Sequence, residues 1–354
     1  MCCVESTFVN ENCGNPQQLR CAASLRHLLT VIATVVTAGV VAACSSTGGA
    51  PRQSADGTVG GGGVDTPRAV VSMVTHGAPG DTFWDLVRKG AEDAARKDNI
   101  ELRYSSDPQT PNQANLVQSA IDAHADGIAV TLPNAHAIGP VAKSAVDAGI
   151  PVVGLNAGMT DYKRYGLGGF FGQDENVAGE LAGKRLKDDS AHKVLCLIHE
   201  QGNSSQESRC EGIKKGLGDS GEMEVLYVNG MDLTAVTSTV QAKLAQDRSI
   251  DWVMGLVAPV ALATVQAAKD AGAEPKIATF DTNAELVAAI NKGEIQWAVD
   301  QQPYVQGYMA VDSLWLELRN GSTVGGGQPV YTGPSFVDRS NVDKIADAAK
   351  IGLR

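Results

Sequence analysis

From residue 69 onward the chain alternates short β-branched apolar runs with stretches of helical spacing, and it does so in two rounds. AVVSMVT (69–75), IELRYSS (100–106), DGIAVTLP (126–133) and IPVVGLN (150–156) read as strands, with helices expected at 83–98, 112–124 and 138–148. The cycle restarts with KVLCLIHE (193–200), MEVLYVN (223–229), IDWVMGLV (250–257) and PKIATFD (275–281), with helices at 206–217, 234–247, 260–271 and 283–291. Strands joined through helices of this length argue for βαβ units and parallel sheets. Eight such units would also suit a TIM barrel. Against it, the Gly-rich GLGGFFG at 166–172 separates the two rounds and reads as a crossing between lobes. The expected fold is α/β, two similar doubly wound parallel-sheet lobes, and in open sheets of this kind ligands bind beyond the carboxyl ends of the strands.

The N-terminal segment has a different character. Residues 28–43 (LLTVIATVVTAGVVAA) carry no charge, follow Arg20, Arg26 and His27, and lead into Cys44. That is the layout of a secretory signal, and the run is short of the ~20 residues of a transmembrane helix. VAAC at 41–44 has the form of a lipobox, so 1–43 is expected to be a signal peptide and Cys44 the lipid-modified first residue, held to the membrane by acyl chains. Residues 44–67, rich in Gly, Ser and Thr, read as a flexible tether.

Composition narrows the chemistry. With 40 acidic against 29 basic residues the net charge is −11, which disfavours nucleic acid as a partner. The seven cysteines include no CxxC pair, which excludes a zinc ribbon or a thioredoxin-type dithiol. There is no GxSxG, HExxH or P-loop, and GGGG at 60–63 has neither a strand before it nor GK[ST] after it. No metal, no cofactor and no enzymatic activity are expected. A secreted, tethered, two-lobed chain points instead to ligand capture in a cleft.

The strand ends carry VTHGAPGDTFWDLVRKGAEDAA, DGIAVTLPN, AGIPVVGLNAG, NSSQESRCEGIKKGL, IATFD and VDQQPYVQGYMAV, in that order. Together they resemble the sugar-binding lipoproteins of bacterial ABC importers, type I periplasmic binding proteins of the ribose-binding kind, over about 69–337. The resemblance implies a three-crossing hinge, with lobe I formed by 68–172 and 302–335 and lobe II by 173–301 and 336–354. It also implies a monomer with a sugar between the lobes, delivered to a membrane permease and its ATPase. A receptor subunit of a sensor system would use the same pocket. A secreted glycosidase using Asp81 and Asp281 is the enzymatic competitor.

Carried over residue by residue, the resemblance makes Phe83 and Trp84 stacking groups for a sugar ring, although both would equally suit helix–sheet packing. Asp81 matches a hydroxyl-binding position and also suits an N-cap. Thr75 and His76 end the first strand. Asn156 stands where the family has an Asp followed by an Arg, and here Ala157 follows. Arg209 matches a cleft arginine whose fork would face a wet cleft and donate to vicinal hydroxyls. Asp281 and Gln301 would accept from or donate to ligand hydroxyls, and Met231 falls at an aromatic position of the second lobe. Val257-Ala258 replaces an Asn-Asp pair. These departures favour an uncharged polyol, a cyclitol such as inositol, or another monosaccharide over a plain aldopentose. Cys196 and Cys210, on a predicted strand and the helix after it, are expected to form a disulfide in an exported chain.

Overall fold

The computed structural model describes residues 64–354; the expected signal segment, Cys44 and most of the tether lie outside the described residues. The first round of alternation builds β1 (Ala69–Thr75), α1 (Thr82–Lys97), β2 (Ile100–Ser106), α2 (Thr110–Asp122), β3 (Gly127–Val130), α3 (Ala135–Asp147), β4 (Val152–Leu155) and β5 (Phe170–Gly172). The second builds α4 (Glu175–Asp188), β6 (Lys193–Ile198), α5 (Ser204–Leu217), β7 (Glu222–Tyr227), α6 (Leu233–Gln246), β8 (Trp252–Met254), α7 (Ala258–Ala271), β9 (Lys276–Phe280), α8 (Ala284–Lys292) and β10 (Trp297–Asp300). The chain ends with α9 (Pro303–Asn320), β11 (Pro329–Tyr331), β12 (Ser335–Asp338) and α10 (Asp343–Lys350).

Two open six-stranded sheets result, ordered β11-β5-β4-β3-β1-β2 and β12-β10-β9-β8-β6-β7. Neither closes into a barrel. The cores of the two sheets share one winding, and in each the strand order reverses beside the first strand, β1 or β6. That reversal leaves a crevice at the carboxyl ends. All pairings are parallel except β12 against β10. Strand position follows from residue pattern. GIAV in β3 and VVGL in β4 are buried throughout, as central parallel strands covered on both faces must be. The more polar IELRYSS and EMEVLY, half-exposed, form the outer edges β2 and β7.

The chain passes between the sheets three times, after β5, between β10 and α9, and between β11 and β12. GLGGFFG is not itself a crossing: Phe170–Gly172 forms β5 in the first sheet, because both phenylalanines are fully buried there, and the passage follows at 173–174. Ser335 opens β12 in the second sheet, so the third passage is over by that residue.

Each lobe contains one helix pair in close backbone contact. A Cβ on Gly90 or Gly307 would lie 2.0 or 1.9 Å from a carbonyl oxygen of the facing helix in the α1–α9 pair. Gly179, Gly183, Gly212 and Gly216 do the same for α4 and α5. In the second lobe Cys196 of β6 and Cys210 of α5 stand with sulfurs 2.05 Å apart.

Candidate ligand-binding site

Three helix starts at the carboxyl ends of the strands are set by Asx residues. Asp81 caps α1, accepting from Phe83 N; Asn203 caps α5, accepting from Ser205 N; Asn283 caps α8, accepting from Leu286 N. Short polar side chains that bond the first free amide groups thus line the crevice between the lobes. Asp81 is therefore an N-cap, and it also lines the cleft.

Two neighbouring cavities that share lining residues occupy that crevice. An inner chamber of about 30 Å³ is lined by His76, Asp81, Phe83, Trp84, Asn156, His199, Glu200, Asn203, Arg209, Val257, Asp281 and Gln301 among others. An outer cavity of about 620 Å³ shares Asp81, His199, Glu200 and Val257 with it. Eight of the ten expected ligand residues meet at the inner chamber. Met231 does not: it is 61% exposed and lines the outer cavity. Thr75 lines neither, because it is fully buried and its hydroxyl bonds the Tyr104 hydroxyl at 2.9 Å.

The floor of the chamber is a chain of amides and carboxylates that spans the lobes. Gln301, at the second crossing, donates from Nε2 to Asp281 Oδ1 at 2.8 Å and accepts at Oε1 from Asn156 Nδ2 at 3.3 Å and Gln306 Nε2 at 2.9 Å. Asn156 and Asp281 both adopt left-handed backbone (φ 61° and 65°), and so does Gln302 (φ 56°). Non-glycine residues held there carry strain that such sites concentrate. Beside this chain Arg354 reaches the fully buried Asp300, with Nη2 2.6 Å from Oδ2, and donates to Gln302 Oε1 at 2.8 Å.

The aromatic wall belongs to the first lobe. Phe83 and Trp84, both buried, meet edge to face with centroids 5.0 Å apart, and Trp84 meets His76 at 4.7 Å. They pack between helix and sheet and line the chamber at once. His76 accepts at Nε2 from Asn203 Nδ2 at 3.3 Å across the cleft, which puts its proton on Nδ1, 2.8 Å from Thr131 Oγ1. Burial, with Arg209 adding, lowers its pKa to about 3, so the ring is neutral. His199 is likewise lowered to about 4 by burial.

Arg209 requires a correction. Its fork does not face a wet cleft: the residue is 5% exposed, Nε and Nη2 bond both oxygens of Glu175 at 2.7 and 2.8 Å, and Nη1 donates to Leu256 O at 3.0 Å. The guanidinium also lies 4.7 Å over Phe280. A buried arginine without a carboxylate would be prohibitive, so the fork is spent on Glu175. Burial opposes its charge, but Glu175 holds its pKa above the ordinary value. Asp281 is pushed up to about 7, by burial against the opposing pull of Arg209. Asp81 is pushed up to about 6, mainly by burial, with Glu200 adding.

Glu175, His199, Glu200 and Asn203 were not among the expected site residues. His199 and Glu200 follow β6 as His76 follows β1, so the strand-end rule that selected His76 also selects them. Asn203 precedes Ser-Ser-Gln-Glu, a helix-start signal. Glu175 carries no comparable mark, since its role depends on a partner 34 positions away.

Residues 71–322 match the model of a periplasmic binding protein domain. The chain is 25% identical over 274 residues to the xylose/arabinose-binding protein of Sulfolobus acidocaldarius, covering 71% of this chain and 66% of that one. It is 28% identical over 191 residues to the xylitol-binding protein of Mycolicibacterium smegmatis, covering 52% and 54%. A carbohydrate transporter from Acidothermus cellulolyticus, solved with myo-inositol, superposes with a TM-score of 0.80 at 52% identity, covering 81% of this chain and 100% of that one. These relatives are named as binding or transport proteins, not enzymes. Among the described residues no helix is long and apolar enough to cross a membrane. The chain belongs to the periplasmic binding protein family, among the sugar-binding proteins of ABC importers.

Proposed function

We infer that the protein captures one uncharged sugar, polyol or cyclitol between its lobes and delivers it to an ABC permease and its ATPase, as a monomer tethered outside the cell membrane through a lipid on Cys44. The observation that carries the reading is the Asn156–Gln301–Asp281 chain. It offers amide donors and carboxylate acceptors from both lobes to one small ligand, in a cleft that Trp84 also lines. Hydroxyls donate and accept, and such a chain answers both. An uncharged ligand suits the chamber because its one guanidinium is neutralised by Glu175. Among such ligands a cyclitol is favoured: the 52%-identical transporter was solved with myo-inositol, and Val257, which lines both cavities, leaves one side of the site apolar. The exported location supports an oxidised Cys196–Cys210 pair.

A thermal-shift screen of sugars, polyols and cyclitols tests this. A true ligand at 100 times its Kd adds ~2.7 kcal/mol to stability and raises Tm measurably. A screen in which no polyhydroxylated compound raises Tm, myo-inositol included, contradicts it.

A further inference from the structure

Gln301 lines the inner chamber from the second crossing, while its chain neighbours Asp300 and Gln302 line neither cavity. Both neighbours meet one side chain. Arg354 places Nη2 2.6 Å from Asp300 Oδ2 and donates from Nη1 to Gln302 Oε1 at 2.8 Å. Among the described residues Arg354 is the one cation at ion-pair distance from Asp300. Asp300 is fully buried, and burial pushes its pKa up against the pull of Arg354 and of the Gln302 N–H. A carboxylate so placed needs a partner to keep its charge. That charge bears on the backbone. Asp300 Oδ1 accepts from Gln302 N at 2.9 Å, and Gln302 Nε2 donates to Thr332 O, on the third crossing, at 2.6 Å. These bonds hold Gln302 in left-handed backbone (φ 56°, ψ 64°), where the chain turns from β10 into α9.

The turn before Arg354 gives it this reach. Ile345 and Ala349 anchor α10 in the second-lobe core beside Leu286 and Ile290 of α8. The helix closes on Gly352 (φ 69°), with Gly352 N bonded to Ala349 O and Leu353 N to Ala348 O. This is the paired bonding of a glycine-closed helix end. A Cβ on Gly352 would lie 3.6 Å from Lys89 Cδ on α1, so the turn also borders the first lobe.

We propose that Arg354 is a positioning residue for the ligand site: its fork clamps Asp300 and Gln302, and so fixes the amide of Gln301 between Asn156 and Asp281. The proposal rests on reading Gln301 as a ligand group of a polyol cleft. Arg354 itself lines neither cavity, so it acts on the ligand through the crossing alone. Two roles of the guanidinium are separable. Neutralising Asp300 needs a positive charge, which a lysine also carries. Holding both flanks of Gln301 needs a planar fork with donors in fixed directions, which a lysine lacks.

The test compares Arg354→Met, Arg354→Lys and the double variant Asp300→Asn/Arg354→Met, all in the full chain. The double variant buries no unpaired charge, so it carries the test where Arg354→Met does not fold. In the free protein, hydrogen–deuterium exchange should quicken over 300–306 and 332–335 in every folded variant, with β1 and β6 unchanged. Calorimetric titration uses myo-inositol, replaced by the polyol that raises Tm most if that is another. Binding should weaken in every folded variant by about 3–10-fold, the loss of about one neutral hydrogen bond. Thermal stability should recover in Arg354→Lys and in the double variant relative to Arg354→Met, while affinity does not. A merely structural role moves the two together. Wild-type affinity in Arg354→Lys or in the folded double variant therefore overturns the proposal and leaves the polyol site standing. Unchanged exchange over 300–306 overturns the clamp without reference to any ligand. If the wild type binds no polyol and none raises Tm, the polyol reading fails and the ligand role of Arg354 falls with it.

Discussion

The two lobes have the same winding and present opposite chemistry to the cleft. The first offers aromatic rings, Phe83, Trp84 and the neutral His76, packed edge to face. The second offers two acidic groups, Asp281 and Glu200, and the amide of Asn203, with the Arg209–Glu175 pair buried behind them. Topology therefore fixes where the cleft lies, and the residues at the strand ends fix what each of its sides presents. A ring with C–H faces and a hydroxylated rim satisfies both lobes, and neither lobe alone defines that shape.

The sharpest break in this comparison is removal of each lobe's anchor. Glu175→Ala leaves Arg209 buried and unpaired, and breaking such a pair costs about 3–5 kcal/mol. Trp84→Ala empties a core site at a similar cost of about 3–5 kcal/mol. Urea unfolding should separate the two causes. Adding Arg209→Met to Glu175→Ala should restore much of the loss, because an apolar pair replaces an ion pair at little net cost, and it should restore none of the Trp84→Ala loss. Equal behaviour of the double variant and Glu175→Ala would contradict the charge account.

The Cys196–Cys210 pair belongs to the second lobe alone. Reducing Cys196–Cys210, which are 14 positions apart, should lower stability by about 3 kcal/mol, read as a fall in the denaturation midpoint. Two alkylatable thiols in the unreduced, denatured protein would show that no bridge forms.

Asp281 sharpens the comparison through pH. Its folded pKa of about 7 lies above the ordinary 3.8, so between those values the folded state holds the extra proton and stability falls as pH rises. Asp281→Asn does not titrate and keeps the acceptor for Gln301. The stability of the variant relative to the wild type should therefore rise from pH 4 to pH 7, by up to about 1.4 kcal/mol per unit, and level off above. A difference independent of pH would contradict the burial of that carboxyl. The smallest effect is expected at Asn203, where alanine loses the cap of α5, about 1 kcal/mol, together with the contact to His76.

The alternation of elements was legible because the strands of the two rounds are short apolar runs and six of the ten described helices start at an Asp or Asn cap. Strands 69–75 and 100–106 fall where their residues indicate. Inner strands came out shorter than their apolar runs, as at 127–130 within 126–133, because Thr131 and Leu132 stay buried while leaving the ladder. The same limit explains 166–172: glycines suggested a linker, and only packing against β4 shows that Phe170 and Phe171 are core. At the site, strand-end position located the residues but not their partners. Arg209 looks like a free fork in sequence, and Glu175 is what makes it structural. Met231 was identified as pocket-lining without a sign that the pocket has an outer part.

The central claim is that both lobes hold one polyol, and calorimetric titration of myo-inositol tests it most directly on the wild type and one variant from each lobe. Asn156→Gly removes the first-lobe amide and keeps the left-handed backbone; Asp281→Asn removes the second-lobe charge and keeps the fold. At pH 8 and above, where the Asp281 carboxyl is ionised, the account predicts one site per chain in the wild type and weakening by ~10–150-fold for Asp281→Asn, the equivalent of ~1.5–3 kcal/mol for a bond to a charged group, and by less for the neutral amide of Asn156. Wild-type affinity in both folded variants would contradict it, because the ligand would then be held elsewhere.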